Sequence, residues 1–205
     1  MTLPYTADPD INLTTADLET VRCWLLDALC QLAYREGDFT LSSGQKSTYY
    51  INGKQVTLDP KGALAIGRLL HHLLPENTHA VAGLTLGADP IVTAVSVVSV
   101  YENHPVTGLI VRKEAKGHGT RAYIEGPELS EGTVVAVLED VVTTGQSAMK
   151  AVDRLRDAGY RVEQVIALVD REQGGEQLYQ KAGLKFQALY TIADLQVRVR
   201  KLSEE

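Results

Sequence analysis

Residues 133–147 have the sequence TVVAVLEDVVTTGQS, in which an apolar run leads into two adjacent acids and a small polar turn. The run Thr133–Leu138 is apolar on both faces of a strand, which is typical of a sheet covered by helices on each side. A helical pattern starts at Ser147, so the turn lies between a buried strand and a helix. This order predicts an α/β fold with polar residues at the end of a central strand.

The chain around this stretch repeats the alternation of strand and helix. Strands are predicted at Ala80–Leu84, Val106–Val111, Thr133–Leu138, Arg161–Val169 and Leu184–Tyr190, and helices at Pro90–Tyr101, Ser147–Ala158 and Glu176–Ala182. Strands that alternate with helices of this length indicate a doubly wound, mainly parallel sheet with helices on both faces. Ligands of such sheets bind beyond the carboxyl ends of the strands, so the residues after each strand are candidates for function.

The N-terminal part has a different pattern. A first helix is expected to be capped by Thr14 or Thr15 and to end at Gly37. Two short strands, Phe39–Leu41 and Tyr49–Ile51, are predicted next, and Asp59-Pro60 opens a second helix. The 205 residues fit a single domain, with about residues 14–58 as an N-terminal element and about residues 59–205 as the α/β core.

Composition excludes several classes of partner. The net charge is −6 and the pI is about 5.4, so neither nucleic acid nor an anionic membrane surface is a natural partner. The apolar stretch Ala80–Tyr101 is interrupted by Asp89-Pro90 and is not expected to span a membrane. Cys23 and Cys30 are expected to share one helix face as reduced core cysteines, and residues 1–13 lack a secretory signal, which together predict a cytoplasmic protein.

The residues after the central strand are suited to bind a sugar phosphate. Backbone N–H groups of the turn, its hydroxyls and a helix N-terminus make a phosphate cradle, and Gly145 allows close approach. Ionised Glu139 and Asp140 can accept hydrogen bonds from vicinal ribose hydroxyls. An ordinary helix cap explains the hydroxyls but not the acid pair beside them. The candidate binding residues are Glu139, Asp140, Val141, Val142, Thr143, Thr144, Gly145, Gln146 and Ser147.

The segment VLEDVVTTG, residues 137–145, resembles the phosphoribosyl-pyrophosphate motif of type I phosphoribosyltransferases. The resemblance implies the fold of that family, in which a small N-terminal hood covers the base above a doubly wound core. FTLSSGQKS, residues 39–47, together with Tyr49–Ile51, resembles the hood. Residues 83–90 correspond to the loop that contacts pyrophosphate in the family, and the whole likeness runs from Phe39 to Tyr190.

A basic loop follows the second core strand, with Arg112, Lys113, Lys116, His118 and Arg121 close together in an otherwise acidic chain. Composition alone favours a solvated loop. Its pattern, Arg-Lys-x-x-Lys-x-His-Gly, resembles the catalytic loop of orotate phosphoribosyltransferases. The resemblance implies a loop that folds over the pyrophosphate of the donor and is shared across a homodimer. Lys113 would then serve its own subunit, and Arg112, Lys116 and His118 the partner's.

Arg171 follows the next strand in the sequence DREQGG, residues 170–175. Taken alone, the Asp170-Arg171 pair is explained equally well by a local ion pair. The segment resembles the Asp-Arg segment of orotate phosphoribosyltransferases, in which the arginine binds the carboxylate of orotate. The planar fork of arginine can bind a carboxylate through two parallel hydrogen bonds. Thr143 is a second candidate for contact with orotate.

The resemblance implies transfer of ribose-5-phosphate from 5-phosphoribosyl 1-diphosphate to orotate, with Lys116, Asp140 and Glu139 as the catalytic candidates. Mg²⁺ is expected to be held mainly by the substrate, with Glu139 or Asp140 as a ligand through water. Some bacterial members have lysines at the positions of Ser42 and Gly87, and Lys46 and Lys54 are the candidates to replace them. The alternatives are a phosphoribosyltransferase for another base, and a non-catalytic regulator that senses the donor or binds RNA.

Overall fold

The computed structural model describes residues 11–40, 46–116 and 122–204. Two sheets are present in these ranges, a two-stranded antiparallel hairpin and a six-stranded sheet. The hairpin consists of β1 (Tyr34–Thr40) and β2 (Lys46–Ile51). The larger sheet consists of β3 (Ala80–Leu84), β4 (Thr107–Val111), β5 (Ile124–Glu125), β6 (Val134–Val142), β7 (Arg161–Asp170) and β8 (Lys185–Thr191), in the order β5-β4-β3-β6-β7-β8.

The helices of the described chain lie between these strands and at its two ends. They are α1 (Leu18–Ala28), continued by a π-helical turn at Leu29–Ala33, α2 (Lys54–Thr57), α3 (Pro60–His72), α4 (Asp89–Tyr101), α5 (Gln146–Asp157), α6 (Gly175–Lys181) and α7 (Ile192–Leu202). No helix in these ranges is long and apolar enough to cross a membrane. The stretch Ala80–Tyr101 is divided into β3 and α4, as the Asp89-Pro90 break predicted.

Each face of the large sheet is covered by its own hydrophobic core. Side chains of α1, α3 and α4 pack on one face, and those of α5 and α6 pack on the other. All strand pairs of this sheet are parallel except β4 with β5. The predicted doubly wound, mainly parallel sheet is therefore confirmed. The two-stranded antiparallel hairpin corresponds to the N-terminal hood that the resemblance implied.

The N-terminal helix differs from the prediction at both ends. Its cap is Asp17, whose carboxylate accepts the Thr20 N–H at 2.9 Å, and not Thr14 or Thr15. The helix ends in the π-helical turn, and Gly37 lies inside β1, where the pairing with β2 is irregular. Asp17 satisfies the first helix N–H groups, whereas Thr14 and Thr15, three and two residues earlier, lie in a turn that begins at Asn12.

The two cysteines do not share a buried face, so the prediction that both lie in the core is wrong for Cys23. Cys30 is buried in the π-helical turn, where its Sγ lies 3.5 Å from the Leu195 carbonyl oxygen of α7. Cys23 is exposed on the α-helical part beside Glu19. The sequence pattern did not reveal α7, and α7 is the element that covers Cys30 but not Cys23. Both cysteines are free thiols.

The central strand β6 is longer than predicted. It continues through Glu139 and Asp140 to Val142, because it keeps parallel pairing with β7, with Val142 opposite Asp170. The carboxyl ends of β6 and β7 therefore lie side by side. The acid pair, the Thr-Thr-Gly turn and Arg171 come together at this edge of the sheet.

Candidate active site

A cleft of about 660 Å³ opens at the carboxyl ends of β6 and β7, beneath the hairpin of β1 and β2. Its walls come from the end of β6 and the following turn, from Arg171, and from the hairpin. The lining residues are Phe39, Thr40, Tyr50, Ile51, Glu139, Val141, Val142, Thr143, Thr144, Gly145, Gln146, Ser147, Arg171 and Tyr179. Two groups of residues predicted from the sequence, those after β6 and Arg171 after β7, therefore line the same cleft.

The turn Thr143–Gly145 leads directly into α5. Gly145 has a φ of +82° and caps the helix, a backbone conformation that favours glycine. A Cβ at this position would also lie 3.0 Å from the ring of Tyr179. The cleft is therefore lined by hydroxyls and by the N-terminus of a twelve-residue helix, whose free N–H groups and dipole favour a bound anion.

The two acids of β6 have different surroundings. Glu139 is 7% exposed, and its Oε2 has no hydrogen-bond partner among the described residues. Burial, together with the neighbouring Asp140, raises the pKa of Glu139 well above its ordinary value, and Lys113 opposes this shift. Asp140 is more open, and its Oδ1 accepts the Val141 N–H at 2.9 Å. Burial therefore disfavours the ionised form of the Glu139 carboxyl.

Gly87 explains how Asp140 is accommodated. A Cβ on Gly87 would lie 2.7 Å from Asp140 Oδ1, so the carboxylate packs directly against the loop between β3 and α4. A lysine side chain at this position would collide with the Asp140 carboxylate as it is placed here. Of the candidates to replace that lysine, Lys46 donates a hydrogen bond to Thr40 Oγ1 at 2.9 Å at the rim of the cleft. Ser42 lies outside the described residues.

Glu139→Gln is expected to stabilise the free protein at alkaline pH. The pKa of Glu139 is raised in the folded state, so deprotonation of this carboxyl destabilises the fold. The destabilisation is absent below the ordinary glutamate pKa and grows as the pH rises towards the folded-state value. At pH 8 the variant should melt about 2–4 °C higher, equivalent to roughly 1 kcal/mol in a domain of this size. Near pH 4 the difference should vanish. Thermal unfolding followed by circular dichroism measures the melting temperatures at both pH values, and the exposed Glu76→Gln is the control. Equal melting temperatures of Glu139→Gln and wild type at pH 8 would contradict the claim that burial of the Glu139 carboxylate destabilises the fold.

Arg171 is 7% exposed and is held against the hairpin. Its Nε donates to Tyr49 Oη at 3.2 Å, its Nη2 donates to Ser47 Oγ at 3.1 Å, and its Cζ lies 4.6 Å from the centre of the Tyr49 ring. Asp170 accepts the Glu172 N–H instead, and no ion pair joins it to Arg171 within the described chain. The alternative interpretation of Asp170 and Arg171 as a local ion pair is therefore not supported.

The basic loop is anchored near α5 but does not reach the cleft in its described part. Arg112 forms an ion pair with Glu125 at 3.0 Å, and Lys116 lies 3.6 Å from the same carboxylate. Arg154 of α5 donates to the carbonyl oxygens of Arg112 and Lys113. Neither Arg112, Lys113 nor Lys116 lines the cleft, although Lys113 is close enough to lower the pKa of Glu139. His118 and Arg121 lie outside the described residues.

Several cleft residues were not singled out from the sequence. Phe39 and Tyr50 line the cleft from the hairpin, with ring centroids 5.6 Å apart, and Tyr179 lines it from α6. The likeness of residues 39–51 to a hood was the available signal for the first two. Tyr179 lies in a short helix with no motif, so only the tertiary packing on Gly145 reveals it.

The fold and the site together define a type I phosphoribosyltransferase. No protein-family model matches the chain. An orotate phosphoribosyltransferase from a Nostoc species is 72% identical over 196 residues, which cover 96% of this chain and 95% of that protein. One from a Synechocystis species is 70% identical over 184 residues, covering 90% and 93%. The crystal structure of the Mycobacterium tuberculosis orotate phosphoribosyltransferase in complex with 5-phospho-alpha-D-ribosyl 1-diphosphate is 34% identical, with a TM-score of 0.71, covering 86% of this chain and 99% of that one.

The chain belongs to the orotate phosphoribosyltransferase family. It is therefore a glycosyltransferase of the pentosyltransferase class, and the fold expected from the sequence is confirmed.

Proposed function

We propose that this chain transfers ribose-5-phosphate from 5-phosphoribosyl 1-diphosphate to orotate, giving orotidine 5′-phosphate and diphosphate on the route to UMP. The observation that carries the proposal is the cleft in which Glu139 and the turn Thr143–Gly145 lie beside Arg171, with Asp140 next to Glu139 on β6. The complex of the Mycobacterium tuberculosis relative with 5-phospho-alpha-D-ribosyl 1-diphosphate supports the identity of the donor.

The donor's 5′-phosphate would bind in the turn that precedes α5. Thr143, Thr144 and Ser147 offer hydroxyl donors, and Gly145 and the start of α5 offer backbone N–H groups. Val141, Val142 and Gln146 complete this wall of the cleft. Asp140, and Glu139 once it is ionised, would accept hydrogen bonds from the ribose hydroxyls and hold the anomeric carbon in place for attack.

The residues present fit a Mg²⁺ ion that is bound mainly by the substrate. No group of three or more histidine, cysteine, aspartate or glutamate side chains in the described ranges could hold a metal alone. Asp140 is partly exposed next to the cleft but is not among its lining residues, and the buried Oε2 of Glu139 has no hydrogen-bond partner among the described residues. Either acid would contact the ion through water, which is common for Mg²⁺ beside phosphates. When bound, the ion would neutralise charge on the pyrophosphate.

The basic loop would stabilise the leaving pyrophosphate. Breaking the bond between C1 and oxygen leaves positive charge on the sugar and negative charge on pyrophosphate, so cations near the leaving group lower the barrier. Lys113 would serve its own chain, which its electrostatic effect on Glu139 supports. Lys116, with Arg112 and His118, would close over the pyrophosphate of the partner subunit. Closure would also exclude water and so prevent hydrolysis of the donor.

A homodimer that shares residues 112–120 is the proposed assembly. Arg112 and Lys116 are directed towards Glu125 rather than into the cleft of their own chain. Three apolar side chains of α4, Val97, Val100 and Tyr101, are exposed, Tyr101 by 80%. A cluster of exposed apolar side chains on one helix is suited to contact with a second copy.

Orotate would lie between the hairpin and the end of β7. Arg171 is the proposed partner of its carboxylate, and Thr143 is the proposed contact on the other wall. The aromatic pair Phe39 and Tyr50 offers flat apolar surfaces to the ring of the base.

A competition between bases tests the acceptor. The protein is incubated with the donor, Mg²⁺ and equal concentrations of orotate, uracil, adenine and hypoxanthine, and the nucleotides formed are separated by chromatography. We expect orotidine 5′-phosphate as the main product, because Arg171 provides a cation for the carboxylate that the other bases lack. A purine nucleotide as main product would favour a phosphoribosyltransferase for another base, and no nucleotide at all would favour a donor-sensing regulator.

We also propose a cytoplasmic location. Both cysteines are free thiols, which supports a reducing compartment.

A further inference from the structure

The guanidinium of Arg171 forms hydrogen bonds with the hairpin along one edge only, the edge that carries Nε and Nη2. Two of its nitrogens are used by the hairpin, Nε by the Tyr49 hydroxyl at 3.2 Å and Nη2 by the Ser47 hydroxyl at 3.1 Å. A guanidinium carries five N–H donors, two of them on Nη1 and two on Nη2. No hydrogen bond joins Nη1 to another residue in the described part of the chain, so the edge formed by Nη1 and Nη2 keeps free donors. Arg171 lines the cleft, which is where this edge can be used.

The hairpin residues that hold Arg171 are themselves held. Ser47 Oγ donates to the Tyr49 carbonyl oxygen at 2.7 Å and accepts the Tyr49 N–H at 3.4 Å, which leaves one lone pair to accept from Arg171. The ring of Tyr49 stacks on Tyr34 of β1, with centroids 5.9 Å apart. The face of Tyr49 also supports the guanidinium plane at 4.6 Å. Both the position and the tilt of the fork are therefore set by side chains of β1 and β2.

Such support matters because a free arginine has many rotamers. Binding a carboxylate through two parallel hydrogen bonds requires one orientation of the fork, and ordering a long side chain at that moment reduces the affinity. A fork that is already ordered avoids this cost. The benefit falls only on ligands with a carboxylate at this position, so the same contacts that order Arg171 increase discrimination.

We propose that Tyr49 and Ser47 are positioning residues that set specificity for a base bearing a carboxylate, by holding the Nη1–Nη2 edge of Arg171 towards the cleft. The inference rests on the proposed function, in which Arg171 binds the carboxylate of orotate. Tyr49 and Ser47 act through Arg171 and are separate from the residues that hold the donor. The hairpin thereby takes part in choosing the base in addition to covering it.

Two nucleotides that differ only in the carboxylate provide the test. Orotidine 5′-phosphate and uridine 5′-phosphate are titrated into the full-length protein by calorimetry, for wild type, Tyr49→Phe, Ser47→Ala and the double variant. Each single variant should weaken binding of orotidine 5′-phosphate by about five- to tenfold, the effect of one hydrogen bond in the network of a charged group. Binding of uridine 5′-phosphate should be unchanged.

Two controls separate the possible failures. Tyr190 also stacks with an arginine, Arg22, and its hydroxyl donates to the Arg22 carbonyl oxygen. Tyr190→Phe removes that hydroxyl and should leave both affinities unchanged. Arg171→Lys keeps the charge but loses the fork, and should weaken only orotidine 5′-phosphate. Equal weakening of both nucleotides by Tyr49→Phe and Ser47→Ala would overturn the positioning role while leaving Arg171 as the carboxylate partner.

An unchanged affinity for orotidine 5′-phosphate in Arg171→Lys would overturn the carboxylate assignment, and the positioning role with it. Thermal unfolding of each variant verifies that the fold is retained. If Tyr49→Phe does not fold, Ser47→Ala carries the test, because it removes a single hydroxyl from a partly buried site.

Discussion

Asp140→Asn is expected to retain the fold and to lose most of its turnover with saturating donor. Asparagine keeps the Oδ1 atom that accepts the Val141 N–H at 2.9 Å and occupies nearly the same volume beside Gly87. It loses the negative charge that would anchor the ribose hydroxyls and balance positive charge on the sugar. We expect kcat to fall by about 100- to 1000-fold, as for removal of one preorganised electrostatic contact. Steady-state kinetics with orotate and the donor measures the effect.

The control is Asp153→Asn, which makes the same change on the exposed face of α5 and should leave kcat unchanged. Circular dichroism establishes that both variants are folded. Turnover close to wild type in Asp140→Asn would remove this acid from the mechanism and leave only Glu139 of the pair.

Mixing two inactive variants is expected to restore activity if the basic loop acts across the dimer. Lys116→Ala lacks the loop cation, and Asp140→Asn lacks the acid beside the cleft. A mixed dimer then contains one site with both defects and one site with neither. With equal amounts and random exchange, about a quarter of all sites are intact, so about a quarter of wild-type activity should return. The rate of orotate consumption measures the recovery.

Exchange of subunits has to be verified independently, by co-purification of differently tagged chains. The control is each variant mixed with a tagged copy of itself, which should remain inactive. Verified mixed dimers without activity would show that Lys116 serves its own chain, and would contradict the shared loop. The 3.6 Å separation of Lys116 from Glu125 gives the loop a resting contact that it would leave on closing.

The core of the fold could be predicted because its signals are local. The apolar run at Thr133–Leu138 and the alternation of strands and helices around it predict buried parallel strands from local sequence alone. The end of β6 was placed too early, since charged residues normally end a buried strand. Pairing with β7 carries the strand through Glu139 and Asp140, and no pattern in the segment itself shows that pairing.

The C-terminal helix α7 and the π-helical turn depend on each other. Cys30 in the turn lies against the Leu195 carbonyl of α7, and Arg198 of α7 forms an ion pair with Asp27 at 2.6 Å. These contacts join residues more than 160 positions apart, so neither segment alone shows them, although Thr191 and Asp194 form a capping box at the start of α7. The end of the first helix before Gly37 depends on these contacts and could not be predicted from the segment itself.

In the candidate site, too, residues of one contiguous segment could be predicted, and residues brought together by tertiary contacts could not. The residues of the turn Thr143–Gly145 are contiguous, so their types and order were enough to predict a site for a sugar phosphate. Arg171 was identified by resemblance, because nothing around it in the sequence distinguishes it from a surface arginine. Its partners Tyr49 and Ser47 lie more than 120 residues away and become visible only in the folded chain.

The most direct measurement follows the ultraviolet absorbance of orotate in a mixture of the protein, the donor and Mg²⁺. We predict that orotate is consumed only when all three are present, with one pyrophosphate released for each orotate lost. Unchanged orotate absorbance, with active-site residues intact and the protein folded, would contradict orotate as the acceptor.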